Sequence, residues 1–397
     1  MNTPLTIQQR NAVLKTVSEL IASGKEAILT ANKVDLDSYK GNDISMFDRL
    51  KVDDSKIDGM ILSLAQLVAD RDPIGKELYH FTHDNGLKIV NKTASFGTVM
   101  IIYESRPDVT VEAAGIAFKS GNKILLKGGK ESLNSNLEIV KLWHQALKEN
   151  NITTDWVEYL NYDRTETQAF LESPTQNIDL IVPRGGEKLI AFVKKNANCP
   201  VIVSGRGNNF IYVDTEADLE LAMTIIINGK DKISACNAVD KILINANLKD
   251  KEIFSEILIK KLLEANIEIF GDETISQFKN VESYESEDIW YKEFLDYKIV
   301  IGSIDSTENA IKKINKYSGG HSAVIITKND TTADQFMSGV DSAAVYQNAS
   351  TRFTDGGQFG LGGELAISTD KLHHRGPMGL HHLVTNKWFI KGNGQIR

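Results

Sequence analysis

The spacing of apolar residues predicts helices at the start of the chain. Apolar side chains recur at intervals of three and four from Ile7 to Ile21, and the same spacing returns at residues 61–69 before Asp72-Pro73 ends it. The charged stretch 43–58 between them predicts a connection. We therefore expect a helical layer ahead of the first strands.

After this layer the pattern alternates between short apolar strands and amphipathic helices. Strands are predicted at 87–92, 98–103, 123–126, 156–160, 178–182, 201–203 and 210–213, and helices at 109–119, 132–149, 166–172, 187–196 and 218–227. Repeated strand–helix units predict an α/β fold, a parallel sheet with helices on both faces. Ligands of such sheets bind beyond the carboxyl ends of the strands.

A second α/β region is predicted after the loop at 229–237. Its strands are expected at 239–245, 267–270, 322–327 and 343–347, and its helices at 254–265, 307–316 and 332–338. A glycine-rich loop follows at 351–363, and residues 388–391 predict a short terminal strand.

Composition narrows the class of protein. The 397 residues carry 45 Lys+Arg against 53 Asp+Glu, a net charge of −8, and no basic run is long enough to follow a phosphate backbone, so no nucleic-acid partner is predicted. The apolar runs are far shorter than a membrane span, and the first ten residues lack the order of a signal peptide. The two cysteines form no CxxC pair, which argues against a disulfide framework or a cysteine zinc site. We expect a cytoplasmic globular protein with reduced thiols and no membrane partner.

Cys236 is the sharpest single candidate for chemistry. It lies in a loop between a predicted helix and a predicted strand, where Lys230 and Lys232 could lower the pKa of its thiol. A thiolate attacks carbonyl groups and leaves again, which suits acyl transfer. The alternative is a buried structural cysteine, the interpretation that we favour for Cys199.

Two glycine-rich turns precede predicted helices: Lys127-Gly128-Gly129-Lys130 and Pro183-Arg184-Gly185-Gly186. Each could offer backbone N–H groups, a positive helix end and a cation to a phosphate. The alternative is an ordinary strand-to-helix turn, but two such turns on successive units favour a dinucleotide. The first strand is not followed by GxGxxG, so a standard Rossmann site is not predicted.

Two further segments, Ser105-Arg106 and Thr351-Arg352, pair a hydroxyl with a guanidinium. Arginine binds carboxylate or phosphate through two hydrogen bonds, although surface ion pairing is an equal alternative for each segment. The histidines at 373, 374, 381 and 382 lack the spacing of a metal site and an intervening acidic ligand, so no metal is predicted.

Several ordered motifs resemble those of the gamma-glutamyl phosphate reductases, also called glutamate-5-semialdehyde dehydrogenases, a branch of the aldehyde dehydrogenase superfamily. The motifs run from about residue 90 to the end: YESRPDVTV at 103–111, LKGG at 126–129, VPRGG at 182–186, SACNA at 234–238, VDSAAV at 340–345, NASTRFTDG at 348–356, RGPMGL at 375–380 and GNGQIR at 392–397.

The resemblance implies NADPH-dependent reduction of L-glutamyl 5-phosphate to glutamate 5-semialdehyde and phosphate, the second step of proline synthesis. Cys236 falls on the family's nucleophile and would form a thioester that takes hydride. Two alternatives are an oxidative aldehyde dehydrogenase acting on another aldehyde and a non-catalytic relative that binds nucleotide or serves in an assembly.

The resemblance also assigns the coenzyme site. Lys127 would hold the adenosine ribose beside Gly128 and Gly129, and Lys130 stands where NAD-preferring relatives carry a glutamate, which implies NADP(H) over NAD(H). The pyrophosphate would face Gly185 and Gly186 with Arg184 beside them, and the nicotinamide ribose would bind Glu293.

Around the cysteine, the resemblance places Ser105 near the slot of the superfamily's oxyanion asparagine and adds Asn237 to the catalytic group. Val203 stands where relatives usually have a glutamate that activates water, a departure compatible with a reductase and awkward for a hydrolytic dehydrogenase.

The substrate's carboxylate and phosphate would be bound by residues that carry guanidinium or hydroxyl groups, with the two anions not assigned between the arginines: Arg106, Ser350, Thr351 and Arg352. Glu104 and Asp355 are candidates for its ammonium group, with a solvated surface position the equal alternative for each.

The implied architecture is aldehyde-dehydrogenase-like. A parallel-sheet cofactor-binding domain would span 1–228, with 87–103 contributing an oligomerisation hairpin, and a smaller α/β catalytic domain would span 229–361. Residues 362–397 would return to the first domain and end in an oligomerisation strand. The expected partners are a second copy, in a homodimer or homotetramer, and a glutamate 5-kinase that delivers the small-molecule substrate.

Overall fold

Helices open the chain, as the three- and four-residue spacing predicts. The computed structural model describes residues 4–42, 44–233, 235–372 and 374–397, and its first elements are α1 (Ile7–Ser23), α2 (Lys25–Ser38), α3 (Ile44–Leu50) and α4 (Asp54–Ala69). The predicted charged connection at 43–58 is wrong, because it holds α3 and the first turns of α4. The carboxylate of Asp53 caps α4 by accepting a hydrogen bond from the Lys56 amide.

An antiparallel sheet follows, built from β1 (Glu77–Thr82), β2 (Lys88–Ser95) and the C-terminal β16 (Val384–Lys391) in the order β1-β2-β16. The hairpin therefore lies earlier than the predicted 87–103, and its first strand was not predicted. All six residues of β1 are exposed, so the strand has no buried face to produce an alternating pattern.

The first parallel sheet has the order β5-β4-β3-β6. Its elements are β3 (Thr98–Tyr103), α5 (Pro107–Lys119), β4 (Lys123–Lys127), α6 (Leu133–Glu149), β5 (Val157–Tyr159), α7 (Arg164–Glu172), β6 (Leu180–Arg184) and α8 (Glu187–Asn196). One face packs on α5, α6 and the N-terminal helices, and the other on α7 and α8. Of the predicted strand 201–203, only Val201 pairs, in a single bridge with Ile181.

The second parallel sheet has the order β10-β9-β11-β8-β7-β12-β13. Its elements are β7 (Asn209–Val213), α9 (Leu219–Lys230), β8 (Val239–Asn245), α10 (Lys251–Glu264), β9 (Glu268–Gly271), β10 (Glu282–Ser283), β11 (Lys298–Ile304), α11 (Thr307–Tyr317), β12 (Ser322–Ile326), α12 (Asp330–Gly339) and β13 (Ala344–Gln347). Strand β11 was not predicted, although it lies inside the sheet between β9 and β8.

Contacts along the chain define two units. The first runs to Val203 and also contains Gly360–Ala366 and Met378–Arg397, and the second contains Ser204–Phe359 and Ile367–Pro377. Residues 204–228, predicted with the cofactor-binding domain, form β7 and α9, which lie in the second unit. The short strands β14 (Ala366–Ser368) and β15 (Gly376–Met378) lie where the chain passes between these ranges. Within the described residues, no helix combines the length and apolar character needed to span a bilayer.

Candidate active site

A cavity of about 750 Å³ lies at the carboxyl ends of the strands of the first parallel sheet. Its wall includes Ile102–Ser105 after β3, Lys127–Glu131 after β4 and the stretch 161–164, which leads from β5 into α7. The volume is within the range of small-molecule and cofactor pockets. The first glycine turn, with Lys127 and Lys130, lines this cavity.

The first turn needs glycine because side chains close in on it. A Cβ on Gly128 would lie 2.3 Å from Asn136 Nδ2, and one on Gly129 would lie 2.6 Å from Ser105 Oγ. The following helix end is not open to a phosphate, however. The amides of Asn134 and Ser135 donate to the carboxylate of Asp35 at 3.0 and 2.8 Å. The sequence prediction that this helix end offers its N–H groups to a ligand therefore does not hold for these two.

Lys127 points its ammonium into this turn, where Nζ donates to the Gly128 carbonyl at 2.7 Å. Burial lowers the pKa of Lys127, while the nearby carboxylate of Glu131 acts in the opposite direction. Ser105 is buried, and its hydroxyl donates to Glu131 Oε2 at 2.9 Å. In this state the Ser105 hydroxyl is thus held by a carboxylate.

The second glycine turn opens α8, with Gly186 as its N-cap residue. The Gly186 amide donates to Glu104 Oε1 at 3.1 Å, and a Cβ on Gly185 would lie 2.7 Å from Glu104 Cδ. Glu104 is exposed and lines the cavity, whereas α8 contributes Lys188, Leu189 and Phe192 to the wall. The carboxylate of Glu104 therefore lies at the N–H group that was predicted to face a pyrophosphate.

Arg184 belongs to a different environment from the one predicted. The cavity wall does not include it, and it lies on the strand face that also carries Val182, which packs in the core with α5. Burial lowers the pKa of Arg184, against the attraction of Glu112 on α5. Burial also raises the pKa of Glu112. Among the described residues, Arg184 Nη1 has no hydrogen-bond partner.

The cysteine loop lies in the second unit, between the end of α9 and the start of β8. Cys236 is exposed, and Ser234 of the same motif lies outside the described residues. Lys230 does not supply the thiol with a free positive charge, because its ammonium forms a buried ion pair with Asp240 Oδ1 at 2.7 Å. The prediction that Lys230 activates the thiol is therefore corrected, while Lys232 is exposed near the loop.

The backbone of Cys236 is fixed by Asn209, the first residue of β7, and approached closely by Gly207 just before it. Asn209 Nδ2 donates to the carbonyls of Cys236, Gly207 and Ala238 at 2.8, 2.9 and 2.7 Å. A Cβ on Gly207 would lie 1.9 Å from the Cys236 carbonyl oxygen, so only glycine allows this approach. The fold thus holds the backbone of the exposed cysteine in place.

Asn237 joins the cysteine loop to the arginine loop. Its Nδ2 donates to the carbonyls of Arg352 and Thr354 at 3.2 and 3.1 Å, and its own carbonyl accepts from Thr351 Oγ1 at 2.6 Å. Arg352 Nη1 donates to Asn237 Oδ1. The Ser350 hydroxyl accepts from the Arg352 amide at 3.3 Å. The structure therefore brings Cys236, Asn237, Ser350, Thr351 and Arg352 together, with Asn237 as the brace.

Behind this brace lies a chain of hydroxyl groups that sequence reasoning missed. Thr354 Oγ1 bonds Ser322 Oγ at 2.7 Å and the Tyr346 hydroxyl at 2.6 Å, and Ser322 Oγ bonds His321 Nδ1 at 2.8 Å. His321 is fully buried, and burial lowers its pKa to about 4. Only the Gly-Gly-His-Ser sequence before β12 could have drawn attention to it.

Glu293 is held against the segment that supports the cysteine. Its Oε1 accepts from the Gly207 amide at 2.9 Å. Its chain neighbours are fixed by β8: the Phe294 amide donates to Asp240 Oδ2 at 2.8 Å, and Lys241 Nζ donates to the Lys292 carbonyl at 2.7 Å. Burial lowers the pKa of Lys241 to about 7.

The remaining predicted residue, Arg106, lies in the first unit as the N-cap residue of α5, where Nη2 forms an ion pair with Asp108 at 2.8 Å. His373 lies outside the described residues. In the described part of the chain, no three histidine, cysteine or acidic side chains are grouped so that they could hold a metal ion.

Comparison with known proteins assigns the family. A gamma-glutamyl phosphate reductase of Clostridium beijerinckii is 42% identical over 393 residues, covering 98% of this chain and 94% of the relative. The chain belongs to the gamma-glutamyl phosphate reductase family. It is therefore an enzyme, an oxidoreductase. The family member from Lachnospira eligens is 41% identical over 99% of this chain and 95% of its own. No family model matches the chain.

Solved structures agree with the family and extend the fold. The crystal structure of the gamma-glutamyl phosphate reductase from Thermotoga maritima matches with a TM-score of 0.95 at 39% identity, over 99% of this chain and 95% of that one. An acetylating aldehyde dehydrogenase from Geobacillus thermoglucosidasius matches with a TM-score of 0.68 at 14% identity, over 99% and 93%. The second likeness concerns the fold alone, and it confirms the aldehyde-dehydrogenase-like α/β class predicted from the motifs.

Proposed function

We propose that this reductase uses NADPH to convert L-glutamyl 5-phosphate to L-glutamate 5-semialdehyde and phosphate, the second step of proline biosynthesis from glutamate. The observation that carries the proposal is the exposed Cys236, whose backbone is fixed by Asn209 and whose neighbour Asn237 is bonded to the loop of Arg352. A thiol on a loop that is bonded to an arginine segment suits attack on an anionic acyl phosphate.

The proposed reaction proceeds through a thioester. The Cys236 thiolate attacks the acyl carbonyl, the carbon–sulfur bond forms, and the carbon–oxygen bond to phosphate breaks with its electron pair leaving on phosphate. When bound, NADPH supplies a hydride to the thioester carbonyl. The tetrahedral oxyanion that results re-forms the carbonyl and expels the Cys236 thiolate, which releases the aldehyde.

The first-unit cavity supports a phosphate-bearing coenzyme. Lys130, Arg164 and Lys188 line it, and none of these three forms an ion pair with another described residue. Lys127, Gly128 and Gly129 form its floor after β4, and Lys130 is the residue that would favour the 2′-phosphate of NADP(H). Glu104 would give up the Gly186 amide if a pyrophosphate takes that place, since its carboxylate is exposed and water can solvate it there. Gly185 would flank that place, Arg184 would act behind it, and Glu293 would take the nicotinamide ribose.

The substrate's two anionic ends would be bound by Arg352, supported by Ser350 and Thr351, and by Arg106. Cys236 would be the nucleophile, Ser105 would lie near the developing oxyanion, and Asn237 would position Arg352. The buried Val203 supports a reductase over an oxidative aldehyde dehydrogenase, because a valine cannot activate water to hydrolyse the thioester.

The proposal also includes an oligomeric state and a cellular compartment. One face of the antiparallel sheet exposes Tyr79, Phe81, Trp388 and Ile390, an apolar surface that suits pairing with a second copy in a homodimer or homotetramer. The enzyme would act in the cytoplasm, with the unstable acyl phosphate delivered by a glutamate 5-kinase.

The reverse reaction tests the proposal against oxidation of another aldehyde. Purified enzyme is given glutamate 5-semialdehyde and NADP⁺ with and without inorganic phosphate, and NADPH formation is followed by absorbance. We expect NADPH formation to depend strictly on phosphate and to be absent in Cys236→Ala. Turnover without phosphate would assign the chain to hydrolytic oxidation instead, and full turnover in Cys236→Ala would refute the thioester.

A further inference from the structure

The charged side chains around the first-unit cavity are not equivalent. The acidic ones are already bound by protein donors: Glu104 by the Gly186 amide and Glu131 by the Ser105 hydroxyl. Asp163 and Glu166 bind each other's backbone amides in the capping box that begins α7, at 2.8 and 2.7 Å. Each carboxylate on the cavity wall therefore already accepts a hydrogen bond from the protein. Among the described residues, three cations on the wall have no acidic partner: Lys130, Arg164 and Lys188.

Arg164 is the most constrained of these three cations. It is the first residue of α7, and its Cζ lies 5.4 Å from the ring centroid of Phe192 on α8, with both residues on the cavity wall. A cation–π contact holds the guanidinium plane without using its N–H groups, so the five donors stay available. The Phe192 ring already restricts the exposed Arg164 side chain, so binding an anion there costs less conformational entropy.

We propose that Arg164 is a specificity-determining residue that binds the 2′-phosphate of NADP(H) together with Lys130. This inference rests on the proposed use of NADPH. A phosphate dianion presents several acceptor oxygens, which the planar guanidinium binds in pairs and which a lysine attracts as a point charge. Both cations lie on the same wall, one just after β4 and one at the start of α7.

Arg164 would therefore contribute to NADPH and little to NADH, which lacks the 2′-phosphate. A charge-assisted hydrogen bond contributes about 1.5–3 kcal/mol, so its loss corresponds to a roughly ten- to hundredfold weaker affinity. The alternative is that Arg164 and Phe192 together stack on the adenine. Both coenzymes contain adenine, so substitution of Arg164 would then weaken NADPH and NADH binding equally.

Calorimetric titration of the full chain with 2′,5′-ADP and 5′-ADP separates these roles, since the two fragments differ only in the 2′-phosphate. The variants are Arg164→Leu, Arg164→Lys and the matched control Lys195→Leu, a lysine in the last turn of α8 that is exposed and outside the cavity wall. Circular dichroism and thermal unfolding check that each variant is folded. Titrations with NADPH and NADH repeat the comparison with the whole coenzymes.

The expected result is a ten- to hundredfold loss of 2′,5′-ADP affinity in Arg164→Leu, a smaller loss in Arg164→Lys, and no change for 5′-ADP or in Lys195→Leu. If the parent enzyme prefers NADPH to NADH and Arg164→Leu keeps that preference, the inference about Arg164 is wrong and the proposed function stands. Equal losses for both fragments would likewise overturn it in favour of stacking. If the parent enzyme binds neither coenzyme, both the inference and the proposed function are refuted.

Discussion

Asp240 holds two parts of the second unit together, and its neutralisation should be severe. One carboxylate oxygen pairs with Lys230 at 2.7 Å, with side-chain exposures of 3% and 1%, and the other accepts the Phe294 amide at 2.8 Å. The substitution Asp240→Asn keeps the size of the side chain and removes its charge. It leaves the ammonium of Lys230 buried without a counter-charge.

Breaking a buried ion pair by removing one partner costs about 3–5 kcal/mol, because the remaining charge is no longer compensated. We expect Asp240→Asn to lower the free energy of unfolding by about this amount, measured by urea unfolding and calorimetry of the whole chain. The control is Glu268→Gln, which removes the half-exposed partner of Lys298 in the same unit and should have a far smaller effect.

A double variant sharpens the test of Asp240. Lys230→Met with Asp240→Asn removes both charges, so it should be more stable than Asp240→Asn alone. An Asp240→Asn protein with the unfolding free energy of the parent enzyme, or a double variant less stable than the single one, would refute the argument that the buried ammonium needs its partner.

Three further substitutions test other parts of the site. His321 has a pKa of about 4 when folded and about 6.5 when unfolded, so the unfolded chain binds the extra proton between these values. Stability from this group should be complete above pH 6.5 and be lost as the pH falls toward 4, by about 3 kcal/mol, and unfolding of His321→Gln at several pH values should lack this part of the dependence. Asn237→Ala removes the donor to the carbonyls of Arg352 and Thr354, so it should reduce kcat/KM for the acyl phosphate by about tenfold or more, with Asn228→Ala on α9 as a control whose steady-state kinetics should be unchanged. Gly207→Ala forces its Cβ onto the Cys236 carbonyl, so it should abolish turnover while circular dichroism shows a folded chain; normal turnover would mean that the loop tolerates displacement.

The strand–helix alternation was readable because buried parallel strands are continuous apolar runs. The strands Thr98–Tyr103 and Val239–Asn245 have the predicted bounds for this reason. The helix Glu187–Asn196 has its predicted bounds because its apolar residues recur at helical spacing. Strand β11 was not predicted, because a glycine such as Gly302 inside an apolar segment is typical of a turn. In the structure a Cβ there would lie 2.9 Å from the Trp290 ring, so the glycine makes room for a buried aromatic side chain.

The candidate site was predictable as a set of residue types and not as a set of contacts. Cys236 and the Arg352 segment are more than a hundred residues apart, and no local pattern indicates that Asn237, the residue after Cys236, bonds to Arg352 and Thr354. Local sequence likewise does not predict that Asp35 accepts hydrogen bonds from the amides of Asn134 and Ser135, which lie 99 and 100 residues later in the chain. Arg164 follows the N-cap residue Asp163, and nothing in the local sequence predicts a binding role for it. Only the structure shows that Arg164 lines the cavity.

The proposed reaction requires acylation of Cys236, and mass spectrometry tests this directly. Enzyme mixed with glutamyl 5-phosphate, formed in place by a kinase, and without NADPH is quenched in acid, digested and analysed. We expect the peptide containing Cys236 to gain the mass of a glutamyl group, with the peptide of Cys199 unmodified, and the adduct to disappear when NADPH is added. Aldehyde formed at the normal rate from a peptide that never carries the adduct would contradict the central claim.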